Sequence, residues 1–219
     1  MSETDSGAME QLALDLGLPH EPPQTVISPC NEAAYGLIAD TARWPHHVAM
    51  VVGGEGTGKS HLANVFAEAE GGRVVPGAAL ATANPVALAE RPIAVDDASA
   101  ADERALFHLI NAVRAADGRL LLTARTPFAA DLPDLGSRLR QVPAVQLGAP
   151  DDALLQRVVA DAFLGRQLAV DPRVVRFLLL RIERTLHAAL KVVEDMDKAG
   201  LAERRGPTRH LAAQVLDSA

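Results

Sequence analysis

Cysteine is almost missing from this chain: Cys30 stands alone among 219 residues. That excludes an intrachain disulfide and a cysteine metal cluster, and it is the pattern expected of a protein working in a reducing cytoplasm. Aromatic residues are nearly as scarce, with one Trp, one Tyr and five Phe making up 3% of the sequence. So few rings cannot build the stacking platforms that hold single-stranded nucleic acid, and the core has to come from Ala, Val and Leu. Positive charge is short as well, since 21 Lys and Arg against 28 Asp and Glu leave a formal net charge of −7. Broad phosphate-backbone binding needs the opposite balance, although a local basic patch stays open. No apolar run approaches the roughly 18 residues of a spanning helix. The acidic N-terminus also lacks the basic start and apolar stretch of a signal peptide. A cytoplasmic protein without membrane attachment is expected.

What the chain does contain is Gly53-Gly54-Glu55-Gly56-Thr57-Gly58-Lys59-Ser60, placed between the apolar run Val48-Ala49-Met50-Val51-Val52 and a helical pattern with Leu62, Val65 and Phe66. Strand, glycine-rich turn, Lys-Ser and helix, in that order, are the context of a phosphate-binding loop. The glycines let backbone N–H groups turn inward around a polyphosphate, and the positive end of the helix beginning near Lys59 faces the same anion. Lys59 is expected to reach the outer phosphates, and the Ser60 hydroxyl to take a Mg²⁺ position. Further on, Pro92-Ile93-Ala94-Val95 leads into Asp96-Asp97. Carboxylates closing an apolar strand suit a magnesium shell and the orientation of water, so Asp96 is assigned to the metal and Asp97 to catalysis. Asp97 is shorter than the glutamate many such ATPases use there. A strand-end pair that caps the following helix is the other reading of the same two residues.

Residues 1–24 have linker composition with one apolar island, Gln11-Leu12-Ala13-Leu14-Asp15-Leu16. A helix capped by Asn31 is expected through Ala33, Leu37, Ile38 and Ala42, ending at Trp44-Pro45. Strands are expected near residues 73–75, 92–96, 120–123 and 144–147. A helix from about Asp102 carries Leu106, Leu109, Ile110 and Val113 at spacings of three and four. Alternation of this kind predicts an α/β domain over residues 25–149, a parallel sheet with helices on both faces. From Pro150 only helices are legible. Asp151 and Asp171-Pro172 are start signals, a third helix is expected from near Arg184 to Ala199 with Gly200 as its stop, and a short fourth follows Gly206-Pro207. These would make a small helical lid bundle over residues 150–219.

The stretch Gly53 to Ser60 with His61-Leu62 after it, the Asp96-Asp97 pair and Leu132-Pro133-Asp134-Leu135-Gly136-Ser137-Arg138-Leu139 resemble the AAA+ core of the bacterial DnaA family, and more closely its shorter Hda branch. The resemblance spans about residues 25–219. It implies an AAA+ phosphate-loop sheet followed by a lid, with ADP or ATP and Mg²⁺ as cofactors. The nucleotide would be held by Gly53, Gly54, Glu55, Gly56, Thr57, Gly58, Lys59, Ser60 and His61, with Arg184 as the lid arginine, and Ser60 and Asp96 would hold the metal. Arg138 would be an arginine finger that enters a neighbouring molecule's nucleotide site, a role worth roughly 10³ to 10⁵ in rate; a surface Arg paired with Asp134 is the plainer reading. Thr123-Ala124-Arg125-Thr126-Pro127 is similar to the family's first-sensor segment, but Arg125 stands where the family has an aspartate, which weakens any case for self-sufficient hydrolysis. Gln11, Leu12, Leu14 and Leu16 resemble the peptide by which Hda proteins dock on the DNA polymerase sliding clamp (the beta subunit); a short amphipathic helix folding back on the domain is the alternative. No counterpart of the initiator's helix-turn-helix domain, and so no sequence-specific DNA binding, is expected.

The implied function is regulation of replication initiation: clamp binding together with stimulated hydrolysis of DnaA-bound ATP, which prevents re-initiation, with ADP the better-fitting resting nucleotide. A self-sufficient AAA+ ATPase of the initiator or helicase-loader type is a second reading. A nucleotide-binding scaffold that brings another client to the clamp is a third. Self-association into a homodimer through the Arg138 face is open in each.

Overall fold

The computed structural model describes residues 26–203 and 206–217. Gln11, Leu12, Leu14 and Leu16 lie outside the described residues. Val48–Gly53 forms β1 and is buried along its whole length, as a β-branched, apolar run must be when it sits in the middle of a parallel sheet. Arg73–Pro76 is β2, Ile93–Asp96 β3, Leu120–Ala124 β4 and Ala144–Leu147 β5. Their order is β2-β3-β4-β1-β5, and every neighbouring pair is parallel. Val52 registers with Ala124, and Val95 with Leu122. Gly53 and Arg125 therefore leave the sheet side by side at its carboxyl edge, and Asp96 ends beside Thr123. Open parallel sheets place ligands along that edge.

Alternate side chains of β1 go to opposite faces, and each face has its own cover. Met50 and Val52 pack with Leu106, Leu109, Ile110 and Val113 of α4 (Glu103–Ala115) and with Leu135 and Leu139 of α5 (Pro133–Leu139). Ala49 and Val51 face α1 (Glu32–Ala39) and Leu62, Ala63 and Phe66 of α2 (Lys59–Ala69). Trp44 stacks on Phe66 with ring centroids 5.3 Å apart, and its indole N–H donates to the Leu37 carbonyl at 2.8 Å. After β5 come α6 (Asp152–Gly165), α7 (Pro172–Leu179), α8 (Leu186–Glu203) and α9 (Arg209–Asp217). They enclose a separate core that includes Leu155, Val159, Phe163, Leu178 and Val193. The Asp151 carboxylate accepts the Leu154 N–H at 2.8 Å and that of Asp171 accepts the Arg173 N–H at 2.7 Å, so both starts are true caps.

Several boundaries differ from the sequence expectation. Asn31 stands before α1, but its side chain turns backward, accepting the Ser28 N–H at 2.8 Å and donating to the Val26 carbonyl at 2.9 Å. That helix ends at Ala39 rather than Ala42, giving way to a 3-10 turn at Thr41–Arg43. Gly200 does not stop its helix: α8 runs on to Glu203 with Gly200 buried inside the bundle, where packing outweighs the weak helix propensity of glycine. Two short helices went unread, α5 and α3 (Pro85–Ala89); each opens on a proline, and Asn84 caps the latter by accepting the Val86 N–H. Among the described residues no helix is long and apolar enough to cross a membrane.

Candidate functional site

The loop between β1 and α2 is shaped by Gly56 at φ +69° and Gly58 at φ +101°, left-handed conformations that suit glycine. The hydroxyl of buried Thr57 donates to the Gly54 carbonyl at 3.0 Å and braces the turn. Among the described residues, no hydrogen bond takes up the backbone N–H groups of Gly56, Thr57, Gly58 or Lys59. Unused donors gathered at a helix N-terminus are what a polyphosphate requires, so the loop fits a nucleotide's phosphates. Lys59 is folded across the loop and donates to the Gly54 carbonyl at 2.6 Å. Burial pushes its pKa below the usual lysine value; Asp96 opposes that shift, Arg125 adds to it, and Asp97 and Glu55 oppose it.

Beside the loop, Asp96 is held at both oxygens. Ser60 donates to Oδ2 at 2.7 Å, and Thr123, fully buried on β4, donates to Oδ1 at 2.6 Å. The Thr123 oxygen in turn accepts the Asp97 N–H at 3.0 Å. Ser60 and Asp96 thus present two hard oxygens to one point, which fits Mg²⁺, an ion that keeps several waters and takes others of its ligands from phosphate. When bound, the ion would supply positive charge to the phosphates. Among the described residues no group of three or more His, Cys, Asp or Glu could hold a metal; what stands beside the loop is the Asp96 carboxylate with the Ser60 hydroxyl bonded to it. Asp97 has a left-handed backbone, φ 54°, and its carboxylate accepts the Ser99 hydroxyl at 2.6 Å. Its carboxylate is therefore engaged with its own turn.

Thr123 is a site residue that sequence reading did not single out; only its place in the first-sensor segment pointed to it. Thr123→Val keeps the shape but removes the hydroxyl, leaving one Asp96 oxygen and the Asp97 N–H without a partner. A loss of about 1–3 kcal/mol is expected, seen as a thermal midpoint lowered by several degrees. Thr123→Ser should keep most of that stability, and equal melting of the Val and Ser variants would contradict the assignment.

The C-terminal helices meet the loop through Thr185 and Leu186. The Arg184 guanidinium is 2.7 Å from the Asp152 carboxylate on the first turn of α6. It is Leu186 whose N–H donates to the Gly56 carbonyl at 2.9 Å. Thr185 stands where a Gly56 Cβ would be, 2.4 Å from the ideal position, and Leu186 Cδ1 is 2.8 Å from that of Gly58. The only sequence signal for these two residues was that they follow Arg184. His61 is exposed on the first turn of α2. Arg125 reaches back to Glu55, with 3.3 Å between NH2 and Oε2. Arg138 lies elsewhere, on α5, with its guanidinium 5.1 Å from the centre of the Phe107 ring. It lines a small crevice with Pro45, His46 and Val48 at the start of β1. The phosphate loop is at the other end of that strand, and Asp134 makes no ion pair with Arg138 among the described residues.

No protein-family model and no curated protein matches the sequence. Solved structures do match the fold. The chain is similar to domain III of the replication initiation protein DnaA from Thermotoga maritima, with a TM-score of 0.73 and 15% identity over 89% of this chain and 94% of that one. It is similar to the replication initiator DnaA bound to AMPPCP and single-stranded DNA, with a TM-score of 0.61 and 16% identity over 82% of this chain and 66% of that one. The T158V variant of RuvB from Thermotoga maritima matches with a TM-score of 0.65 and 14% identity over 84% of this chain and 66% of that one. At such identities the likeness is one of fold: the five-stranded parallel sheet flanked by helices has the AAA+ architecture of DnaA domain III and RuvB.

Proposed function

We propose that this chain is an Hda-type regulator: a nucleotide-holding AAA+ protein that docks on the DNA polymerase sliding clamp and presents Arg138 to ATP held by DnaA. Hydrolysis then takes place in the partner, and re-initiation of replication is prevented. The position of Arg138 carries this reading. The six residues of β1 separate it from its own phosphate loop, a span of about 20 Å. Any phosphate it meets must therefore belong to another molecule. Contact with the Phe107 face steadies the guanidinium, and a fixed cation there would stabilise the charge that develops on a transferring phosphoryl group.

In this reading the chain's own nucleotide, ADP by preference, is a conformational ligand. Lys59 and the N–H groups of Gly56 to Lys59 hold phosphates, Ser60 and Asp96 hold Mg²⁺, and the Leu186 to Gly56 hydrogen bond ties lid position to the loop. The engagement of Asp97 with Ser99 supports weak turnover in cis. The likeness to DnaA structures, one of them with AMPPCP bound, supports nucleotide as the ligand.

Gln11 and the leucines after it supply the clamp contact, an amide that fixes the entry point and apolar side chains that fill pockets. Leu14→Ala removes about 1.5–3 kcal/mol of burial, so clamp affinity should fall roughly 10- to 100-fold, and stimulation at limiting protein should fall with it. Surface plasmon resonance on immobilised clamp, paired with hydrolysis of DnaA-bound ATP in the presence of clamp on DNA, tests both statements. Wild-type protein that leaves that hydrolysis unchanged overturns the reading. The intact Ser60–Asp96–Thr123 network favours a second reading, a self-sufficient ATPase. It requires sustained hydrolysis by the purified chain with DnaA absent.

A further inference from the structure

Along α7 and the start of α9 runs an open groove of about 620 Å³. Arg173, Arg176, Arg181 and Arg209 line it, together with Phe177 and Leu180. In a chain of formal net charge −7 this is a local concentration of positive charge. All four arginines are exposed, and among the described residues none of them makes an ion pair. The carboxylate in the groove, Asp171, is occupied in capping α7 through the Arg173 N–H. The guanidinium carbons of Arg181 and Arg209 lie 3.8 Å and 4.9 Å from the centre of the Phe177 ring, so that ring is engaged with cations and is a poor platform for a base. Leu180 is 77% exposed. Arginines without carboxylates beside an uncovered leucine suit a ligand that carries negative charge and apolar side chains together.

Such a ligand exists in the chain itself. Residues 1–25 contain Glu3, Asp5, Glu10, Asp15 and Glu21 and no Lys or Arg, and within 10–18 the carboxylates of Glu10 and Asp15 stand among Leu12, Leu14, Leu16 and Leu18. The described structure begins at Val26, and the Cys30 carbonyl accepts the Gly148 N–H at 2.8 Å, three residues before the cap of α6 at Asp151. The N-terminal segment therefore enters next to α6, the helix against which α7 packs. The stretch from Leu18 to Val26 spans up to about 25 Å when extended, more than the roughly 21 Å length of α6, so the groove is within reach. We propose that this groove docks the chain's own residues 10–18 in cis, with Glu10 and Asp15 meeting the arginines and the leucines covering Leu180. Tethering sets an effective concentration of about millimolar, which favours this segment over a free acidic peptide. A docked Gln11 and Leu14 cannot fill pockets on another protein at the same time. On the reading of these residues as a clamp peptide, the groove therefore competes with the clamp for the same segment.

Cross-linking in the full chain tests the docking without the clamp. In a Cys30→Ser background, Ala13→Cys is paired with Leu180→Cys in the groove or, as a control, with Val86→Cys, which is exposed on α3 of the sheet domain. A short bis-maleimide should link the Leu180 pair within one chain about 5-fold more than the Val86 pair at about 50 mM salt, and raising the salt to about 500 mM should bring the yield to the control level. Arg173→Glu combined with Arg176→Glu should do the same, with circular dichroism confirming an unchanged fold. Equal yields for the two pairs, or a yield indifferent to the charge reversal, overturn the docking. A link formed only between two chains makes a second copy the source of the segment and overturns docking in cis. With the native cysteine in place, the same charge reversal should tighten clamp binding about 3- to 10-fold by releasing the segment; an unchanged clamp affinity overturns the competition. If neither protein binds the clamp, the clamp reading falls, while the cross-link still decides the docking.

Discussion

Arg138→Ala is expected to lower clamp-dependent hydrolysis of DnaA-bound ATP by about 10³-fold or more, the scale of losing a trans-acting arginine. The chain's own affinity for ADP should not change, because Arg138 sits at the amino end of β1 and the loop at its carboxyl end. Stability should change little: the partner of the guanidinium is the Phe107 ring, a contact worth about 0.5–1 kcal/mol at a partly exposed site. Arg138→Lys keeps the charge but loses the planar fork, so it should recover only part of the rate. Phe107→Ala leaves the arginine in place but removes its support, and an intermediate rate is expected. Single-turnover hydrolysis of labelled ATP preloaded on DnaA, with clamp on DNA, separates these cases. A rate for Arg138→Ala equal to that of the wild type removes the finger from the proposal, whatever the clamp affinity.

The parts of this site that were legible in the sequence are those confined to one short segment. Gly53 to Ser60 carries its strand, its turn and its helix within some twenty residues, so local pattern was enough to place Lys59 and Ser60. The buried strands β1, β3 and β4 were legible for the same reason, as apolar runs. Edge strand β2 was faint because its Val74 and Val75 are only half buried and no long apolar run was needed. What could not be read are contacts that the sheet order creates. Thr123 reaches Asp96 only because β3 and β4 are neighbours, and Arg125 reaches Glu55 only because β4 lies next to β1. The contact between the C-terminal helices and the loop is of the same kind: Arg184 is paired with Asp152, and the loop is touched by the two residues that follow it, Thr185 through its side chain and Leu186 through its backbone N–H and a side-chain methyl. Neither kind of contact has a sequence signature.

That lid contact leads to the second large effect, at Gly56. In Gly56→Ala the new Cβ would stand 2.4 Å from Thr185 Cβ and 2.7 Å from its Cγ2, far inside the roughly 3.5–4.0 Å of a carbon–carbon contact. The backbone at φ +69° adds about 1–2 kcal/mol for a residue with a side chain. The loop cannot yield without losing its shape, so the start of α8 must move away, and the Leu186 N–H bond to the Gly56 carbonyl breaks. Nucleotide affinity should fall by about 100-fold, equivalent to roughly 3 kcal/mol, and the Leu186 amide should exchange with solvent far faster. Backbone strain alone would also weaken binding, so a compensating variant decides the cause. Thr185→Gly removes the clashing atoms. Its cost is small, because Thr185 also accepts the Ala188 N–H at 3.1 Å and glycine at a helix cap loses only a few tenths of a kcal/mol. The double variant should therefore regain about 3- to 20-fold of the roughly 100-fold lost in Gly56→Ala, the left-handed strain of about 1–2 kcal/mol accounting for the rest. Such coupling between two residues about 130 positions apart is what direct contact produces. Purely additive effects would mean that the lid does not rest on the loop at Gly56.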